Sequence, residues 1–239
     1  WRARVEPDGW RMIGTRNCPS ASLIMSDILT LFPTRLYRAE IGTPDLIEDL
    51  KRTSEALAVD DGAGQAWCRK NGYPGYTSYA SLNDLPWRFP EFARLVKAID
   101  KHCLAYAKEL HWDLRGTKPR CDSLWVNVLP EGGHHTSHIH PNSVISGTFY
   151  VAVPQGAGPI VYEDPRLGLM MAVPPKQQAK LPQNLKQHVS FKPEVGTLML
   201  WESWLRHEVP LNRAEGNRIS VSFNVSTDFS TSLKICVNV

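Results

Sequence analysis

The sequence predicts an α+β fold, a β-sandwich or jelly roll whose larger sheet carries a layer of helices. Three observations predict it. Helical periodicity dominates up to about residue 120, and short alternating strands fill the chain from there to residue 226. Gly, Pro and Asn punctuate those strands, and no internal repeat or low-complexity tract interrupts them.

The elements follow in order. "LTLFPTRLYRAEI" alternates well enough to be a strand. "TPDLIEDLKRTSEALAVD" opens on a Thr43-Pro44-Asp45 start signal and repeats apolar residues at Leu46, Ile47, Leu50 and Leu57, so a helix is expected. "CRKNGYPGYTSYASLNDLPWRFP" is rich in Gly, Pro, Tyr and Asn and reads as an ordered loop. "PEFARLVKAIDKHCLAYAKELHW" places Phe92, Leu95, Val96, Ile99, Cys103, Tyr106 and Leu110 on one face of a long amphipathic helix. Beyond residue 120 the expected strands are "SLWVNVL", "HTSHIHP", "VISGTFYVAV", "GPIVYED", "KQHVSFKP", "GTLMLWES", "RHEVPL" and "RISVSFNVS". The stretch from Leu167 to Lys186 has weak patterning and three prolines, and reads as a lid or a dimer-contact loop.

Bulk properties narrow the function classes. The 239 residues are 42% hydrophobic and 21% charged, ordinary globular composition for a chain able to bury its own core. A net charge of +3, with lysines and arginines dispersed, gives no nucleic-acid signature. Five cysteines (Cys18, Cys68, Cys103, Cys121 and Cys236) are odd in number and widely spaced, which argues against a disulfide framework or a zinc knuckle. The apolar stretch "SASLIMSDILTLFP" is broken by Asp27 and too short to cross a bilayer. No membrane partner and a cytoplasmic location are therefore expected.

Four of the eight histidines crowd into "GGHHTSHIHP" as His134, His135, His138 and His140. Side chains alternate along a strand, so His138 and His140 are expected on one side, where their imidazoles can share an ion. His207, in "WESWLRHEVP", lies 67 positions beyond His140, a separation that neighbouring strands of a β fold easily bridge. By the same alternation His134 shares the face of His138, while His135 points away; both read as structural. The pair alone fits a surface or core role as well as a metal site, and imidazole suits iron, zinc, copper or nickel.

The last strand adds a second signal. Arg218, Ser220, Ser222 and Asn224 alternate with Ile219, Val221, Phe223 and Val225, giving one polar and one apolar face. An arginine buried on that polar face needs a counter-anion. A dicarboxylate would supply it, gripped bidentately by Arg218 and hydrogen-bonded by Ser220. An edge strand with its polar face in water explains the same pattern without a ligand.

These pieces, in order "LFPTRLY", "GYTSY", "WVNVLPEGGHHTSHIHPNSVISGTFYV", "YEDPR", "GTLMLWESWLRHEVP" and "RISVSFNV", give the chain its family likeness. It resembles the small bacterial and phage 2-oxoglutarate/iron(II) oxygenases, distantly related to prolyl hydroxylases. The resemblance covers roughly residues 30 to 226. It implies a double-stranded β-helix (jelly roll) with N-terminal helices packed on one sheet. The implied organisation is an N-terminal extension 1–29, one oxygenase domain 30–226 (helical support 43–112, β-helix core 122–226) and a tail 227–239. Iron(II) ligands would be His138, His140 and His207. Arg218 and Ser220 would hold the distal carboxylate of 2-oxoglutarate, with Asn127 and Tyr150 flanking the pocket. The implied activity is hydroxylation of a small-molecule or peptidyl substrate with release of succinate and CO2; a homodimer is an expectation that comes from the proline-rich 167–186 segment instead.

One departure stands out. The wider superfamily places an acid two residues after the first ligand, in a 2-His-1-carboxylate triad, whereas this chain has His140 there. Three neutral imidazoles leave the site one negative charge short, and Glu163, Asp164, Glu202 and Glu208 are the nearby acids able to compensate. Trp125, Phe149, Trp201 and Trp204 are candidates for an apolar lining. Two other readings stay open: a cupin-like three-histidine metalloenzyme that uses no 2-oxoglutarate, and a non-catalytic metal-binding β-sandwich module.

Overall fold

The computed structural model describes residues 27–172, 174–177 and 180–227. Cys18, Cys236, most of the expected N-terminal extension, the tail beyond residue 227, and positions 173, 178 and 179 of the proline-rich stretch lie outside the described residues. Residues 27–33 carry no helix or strand and group apart from the unit that begins at Thr34.

The first expected strand shrinks to β1 (Tyr37–Glu40). Phe32 adopts φ 56°, and Pro33 has no amide hydrogen to give a ladder, so pairing begins only after them. Helix α1 (Pro44–Asp60) starts as expected, with proline in its first turn, and Leu46 and Leu50 are its buried apolar residues. The segment expected to be a loop contains more order than its composition suggests. Helix α2 (Gly62–Lys70) runs into it, followed by β2 (Tyr76–Thr77) and the single-turn α3 (Leu85–Arg88). Gly62 and Gly64 are poor helix formers and mask α2 in the sequence. Asp61 supplies what they lack: its carboxylate accepts the amide of Gly64 at 3.0 Å, capping the helix. The same carboxylate accepts Tyr76 at 2.9 Å and Ser81 at 2.5 Å, tying the following loop back to the helix start.

Helix α4 (Pro90–Glu109) fulfils its pattern, burying Phe92, Leu95, Ile99, Cys103 and Tyr106. All eight expected downstream strands form: β3 (Arg120–Leu129), β4 (His135–His138), β5 (Ile145–Ala152), β6 (Ile160–Glu163), β7 (His188–Phe191), β8 (Thr197–Glu202), β9 (His207–Val209) and β10 (Arg218–Ser226). Two short 3-10 turns occur in the proline-rich stretch, at Leu167–Met170 and Gln183–Leu185.

The strands form two antiparallel sheets. One has six strands in the order β1-β8-β5-β10-β3-β2, the other four in the order β4-β9-β6-β7. Alternation sorts the six-stranded sheet cleanly. Leu124, Val126, Val128, Ile145, Phe149, Leu198, Leu200, Val221 and Phe223 pack against α1, α3 and α4 in the main core. The opposite face contributes Tyr150, Met199 and Trp201 to a second cluster with Ile160, Tyr162 and Leu205 of the smaller sheet and its margin. Helices thus seal one side of the large sheet, and the other side meets the small sheet. Each large side chain buried this way contributes about 1.5–3 kcal/mol. Phe149, expected to line the site, belongs instead to the helix-facing core, because odd-numbered residues of β5 face the helices. No helix among the described residues is long and apolar enough to cross a membrane.

Candidate metal centre and anion pocket

The three histidines come together where the two sheets meet. His138 on β4 is directly paired with His207 on β9, and Tyr162 of β6 flanks His207 on the other side. Ring centroids lie 4.4 Å apart for His138 and His207, and 5.1 Å apart for His140 with either. One nitrogen from each ring falls within 4.8 Å of the others, close enough for a single ion to draw together.

The route to this arrangement differs from simple alternation. Between the pairs His135↔Val209 and His138↔His207, β4 advances three residues while β9 advances two. That extra residue is a β-bulge, and it reverses the alternation across Thr136 and Ser137. His135, expected to point away, therefore turns toward the cluster and lies 6.3 Å from the His138 ring. Its Nε2 is 3.0 Å from the Tyr73 hydroxyl. His134 instead turns back on its own loop, its Nδ1 lying 3.3 Å from the Gly132 carbonyl. His140 stands two residues beyond the end of β4, its amide donating to the Ser203 carbonyl at 3.1 Å.

Each Nδ1 faces an acceptor. His138 donates to the Thr136 carbonyl at 2.6 Å, His207 to the Leu205 carbonyl at 2.9 Å, and His140 to Asn224 Oδ1 at 2.7 Å. A carbonyl oxygen only accepts, so the ring proton sits on Nδ1 and the Nε2 lone pair turns inward. The Nε2 of His140 is buried with no hydrogen-bond partner among the described residues. Burial, followed by repulsion from His138, pushes His207 down to about 3 and His140 down to about 4. Both rings are thus neutral and unprotonated at physiological pH, the form a metal requires.

Asn224 belongs to a buried chain. Its Oδ1 also accepts the Ser146 hydroxyl at 2.9 Å, and Ser146 in turn meets Ser203 at 2.8 Å. Trp125 stacks on the far side of His140 at 5.8 Å and 22°, while Trp201 meets His207 edge-on at 4.7 Å. Trp204, also expected in the lining, is half exposed. None of the four acids expected to compensate joins the cluster. Asp164 pairs with Arg166 at 2.7 Å, and Glu163 lies 3.9 Å from Arg206.

Behind the histidines, Arg218 is 1% exposed and has no acidic partner among the described residues. Its Nε donates to the Gly158 carbonyl at 3.3 Å and its Nη1 to Ser220 Oγ at 3.2 Å. The guanidinium carbon lies 5.2 Å from the centre of the Tyr150 ring. The hydroxyls of Tyr150 and Tyr162 and the Trp201 Nε1 are buried without partners. Burial pulls the Arg218 pKa down and pushes that of Tyr150 up. Arg218, Ser220, Ser222 and the three histidines line one small cavity of about 60 Å³. A buried guanidinium that gives two of its donors to Gly158 and Ser220 keeps others for an anion in this cavity.

Asn127 sits slightly apart. Its Nδ2 donates to Ser222 Oγ at 3.0 Å, but its side chain lines an outer cleft of about 440 Å³ that opens beyond the histidines. Its Oδ1 is buried without a partner. Of these groups, the sequence pattern already carried Asn224, on the same strand face as Arg218. The roles of Ser146, Ser203 and Tyr73 had no sequence signal, since each depends on a contact between distant segments.

Comparison with known proteins agrees with this geometry. Residues 123–224 match the family described as "Putative 2OG-Fe(II) oxygenase". The matched stretch spans 102 residues, from β3 to β10. It contains His138, His140, His207, Arg218 and Asn224. Solved structures share the fold at low identity. A prolyl-4-hydroxylase from Pseudomonas putida is 13% identical, with 81% of this chain and 93% of that chain covered and a TM-score of 0.52. HygX from Streptomyces hygroscopicus, solved with nickel and 2-oxoglutarate bound, is 15% identical over 82% and 83% of the two chains, at a TM-score of 0.53. The non-heme alpha ketoglutarate dependent epimerase SnoN from nogalamycin biosynthesis is 11% identical over 81% and 77%, at 0.55. The chain spans only 57% of the length of a 2OG-Fe(II) oxygenase family oxidoreductase from Burkholderia pseudomallei. No curated protein sequence matches the chain.

Proposed function

We propose that this oxygenase domain binds iron(II) through the Nε2 atoms of His138, His140 and His207 and uses 2-oxoglutarate and O2 to hydroxylate an organic substrate, one oxygen atom entering the product and the other the succinate released with CO2. The observation that carries the reading is the pairing of two binding arrangements in one cavity. One nitrogen from each of three imidazoles falls within 4.8 Å of the others, and beside them Arg218 is 1% exposed with no acidic partner among the described residues. A metal fits the first and a dicarboxylate the second.

In this reading the two sheets form a double-stranded β-helix within one domain, residues 30–226, with residues 1–29 and 227–239 as flanking extensions. Arg218 and Ser220 take the distal carboxylate of 2-oxoglutarate, and the Tyr150 hydroxyl, buried and unpartnered, adds a donor. Asn127 acts on the same pocket through Ser222, which it holds at 3.0 Å. The iron, when bound, supplies the oxygen chemistry. The protein's part is to fix three ring orientations, to grip the cosubstrate at its far end and to keep water out with Trp125 and Trp201. A cupin-like enzyme that uses no 2-oxoglutarate leaves the buried Arg218 unexplained, and so does a closed structural metal site.

The test loads the protein anaerobically with iron(II), adds 2-oxoglutarate and air, and measures succinate across a panel of small molecules and peptides. The reading expects about one iron per chain, lost in His138→Ala and His207→Ala, and succinate formation dependent on Arg218. Full iron retention by either histidine variant sinks the ligand assignment. Iron binding without any 2-oxoglutarate affinity favours the cupin-like reading.

A further inference from the structure

The cleft outside the histidines has a character of its own. Trp67, Tyr79 and Trp125 form a continuous aromatic wall. Tyr79 meets Trp67 edge-on at 6.5 Å and 60°, and meets Trp125 edge-on at 5.1 Å and 77°. Asn71, Thr77 and Asn127 supply neutral amide and hydroxyl groups. Among the described residues no Asp, Glu, Lys or Arg lines this cleft of about 440 Å³. Its only titratable groups besides tyrosines are histidines.

From this charge census we infer that the cleft takes an uncharged substrate group, ring-bearing or planar, with a hydrogen-bonding atom at its edge for Asn127. The inference rests on the function proposed above and names the substrate class for the same site. Aromatic faces favour stacking with a flat or cyclic group. Asn127 lines the same space and its buried Oδ1 has no partner among the described residues, so a ligand donor that reaches it removes an unmet hydrogen bond. A carboxylate, phosphate or ammonium entering the cleft loses its hydration and meets no oppositely charged side chain among the lining residues. A cationic group is disfavoured further. The histidine cluster beside the wall is built to hold a cation, and a second positive charge next to it is repelled. Free amino acids, nucleotides and polyamines are thereby set aside in favour of amides, neutral heterocycles or residues within a peptide.

The test uses three probes of one shape and different charge: benzamide, benzoate and benzylammonium. The protein is loaded with zinc and saturated with 2-oxoglutarate, so that Arg218 is occupied, and the dissociation constant of each probe is measured by ligand-observed NMR. Benzamide is expected to bind at least about tenfold tighter than either charged analogue. Tyr79, 59% exposed, can be changed without disturbing the core. Tyr79→Ala should weaken benzamide several-fold, while Tyr79→Phe keeps it. Tighter or equal binding of benzoate or benzylammonium overturns the inference, and so does failure of benzamide to bind at tens of millimolar. Zinc and 2-oxoglutarate binding are measured first and separately. Their loss with the benzamide preference intact refutes the oxygenase reading of the site and leaves the cleft assignment standing.

Discussion

Asn224 Oδ1 accepts the Nδ1 proton of His140 at 2.7 Å and so decides which nitrogen His140 turns toward the other two histidines. The amide is itself fixed by Ser146, which is fixed by Ser203. Partners of this kind typically alter metal affinity by 10–100-fold when removed. Asn224→Leu is therefore expected to raise the Kd for zinc or cobalt(II) about 10–100-fold, with a changed d–d spectrum for cobalt. Asn224→Asp keeps an acceptor in place and should bind within a few-fold of the parent, or tighter. Parent-like affinity in the leucine variant refutes this role.

Arg218 makes a prediction about stability. A ligand bound only by the folded state stabilises it by about 2.7 kcal/mol at 100 times its Kd, or roughly 5–10 °C for a domain of this size. 2-Oxoglutarate should raise the Tm of the zinc-loaded protein by that amount. Arg218→Met, which fills the space without the charge, should abolish the shift while zinc still binds. An undiminished shift shows that the dicarboxylate sits elsewhere.

The helix-facing side of β5 tolerates little. At Gly147 an added methyl would run into the Phe223 ring and Leu200, both in the main core. Gly147→Ala should cost about 1–3 kcal/mol through overpacking, read as a lowered urea midpoint with little change in the slope.

Acid should loosen the metal-free protein in a defined window. His135, His140 and His207 sit at about 3, 4 and 3, against about 6.5 in an unfolded chain. All three folded values lie below the unfolded one, so the unfolded state binds more protons between them. Their contribution is complete above pH 6.5 and is lost as the pH falls from there toward 4 and 3, by up to about 1.4 kcal/mol per pH unit for each histidine. Urea unfolding from pH 8 to pH 4 should show a plateau followed by a steep decline. Loading with zinc before the titration should move the decline to lower pH, because metal and proton compete for the same nitrogens. A flat profile down to pH 4 contradicts the buried neutral rings.

Much of this molecule is legible in its sequence because its periodicities are strong. Helices α1 and α4 and strands β3 to β10 follow apolar spacing alone, and Arg218 announces itself by sharing a polar face with Ser220, Ser222 and Asn224. Helix α2 escapes because two glycines hide a helix that Asp61 caps, and Asp61 is informative only once Tyr76 and Ser81 are seen beside it. The inward turn of His135 escapes for a different reason. Alternation is a rule for regular strands, and nothing in "HHTSHIH" marks the place where regularity breaks. The helix-facing position of Phe149, by contrast, follows from the register of β5 with β8 and β10, which no local pattern reveals.

The bulge in β4 has a consequence for how this site can change over generations. Its geometry depends on the number of residues between His135 and His138 more than on their identity. Substitutions at Thr136 or Ser137, both exposed, leave the count intact, and a one-codon deletion there removes the bulge but sets His135 and His138 two apart, still on one face. A one-codon insertion with the bulge kept reverses the alternation and turns His135 outward, parting it from Tyr73 while leaving His138 opposite His207. Between these two histidines, drift by substitution or by loss of a residue is thus cheap, and drift by gain of one is not.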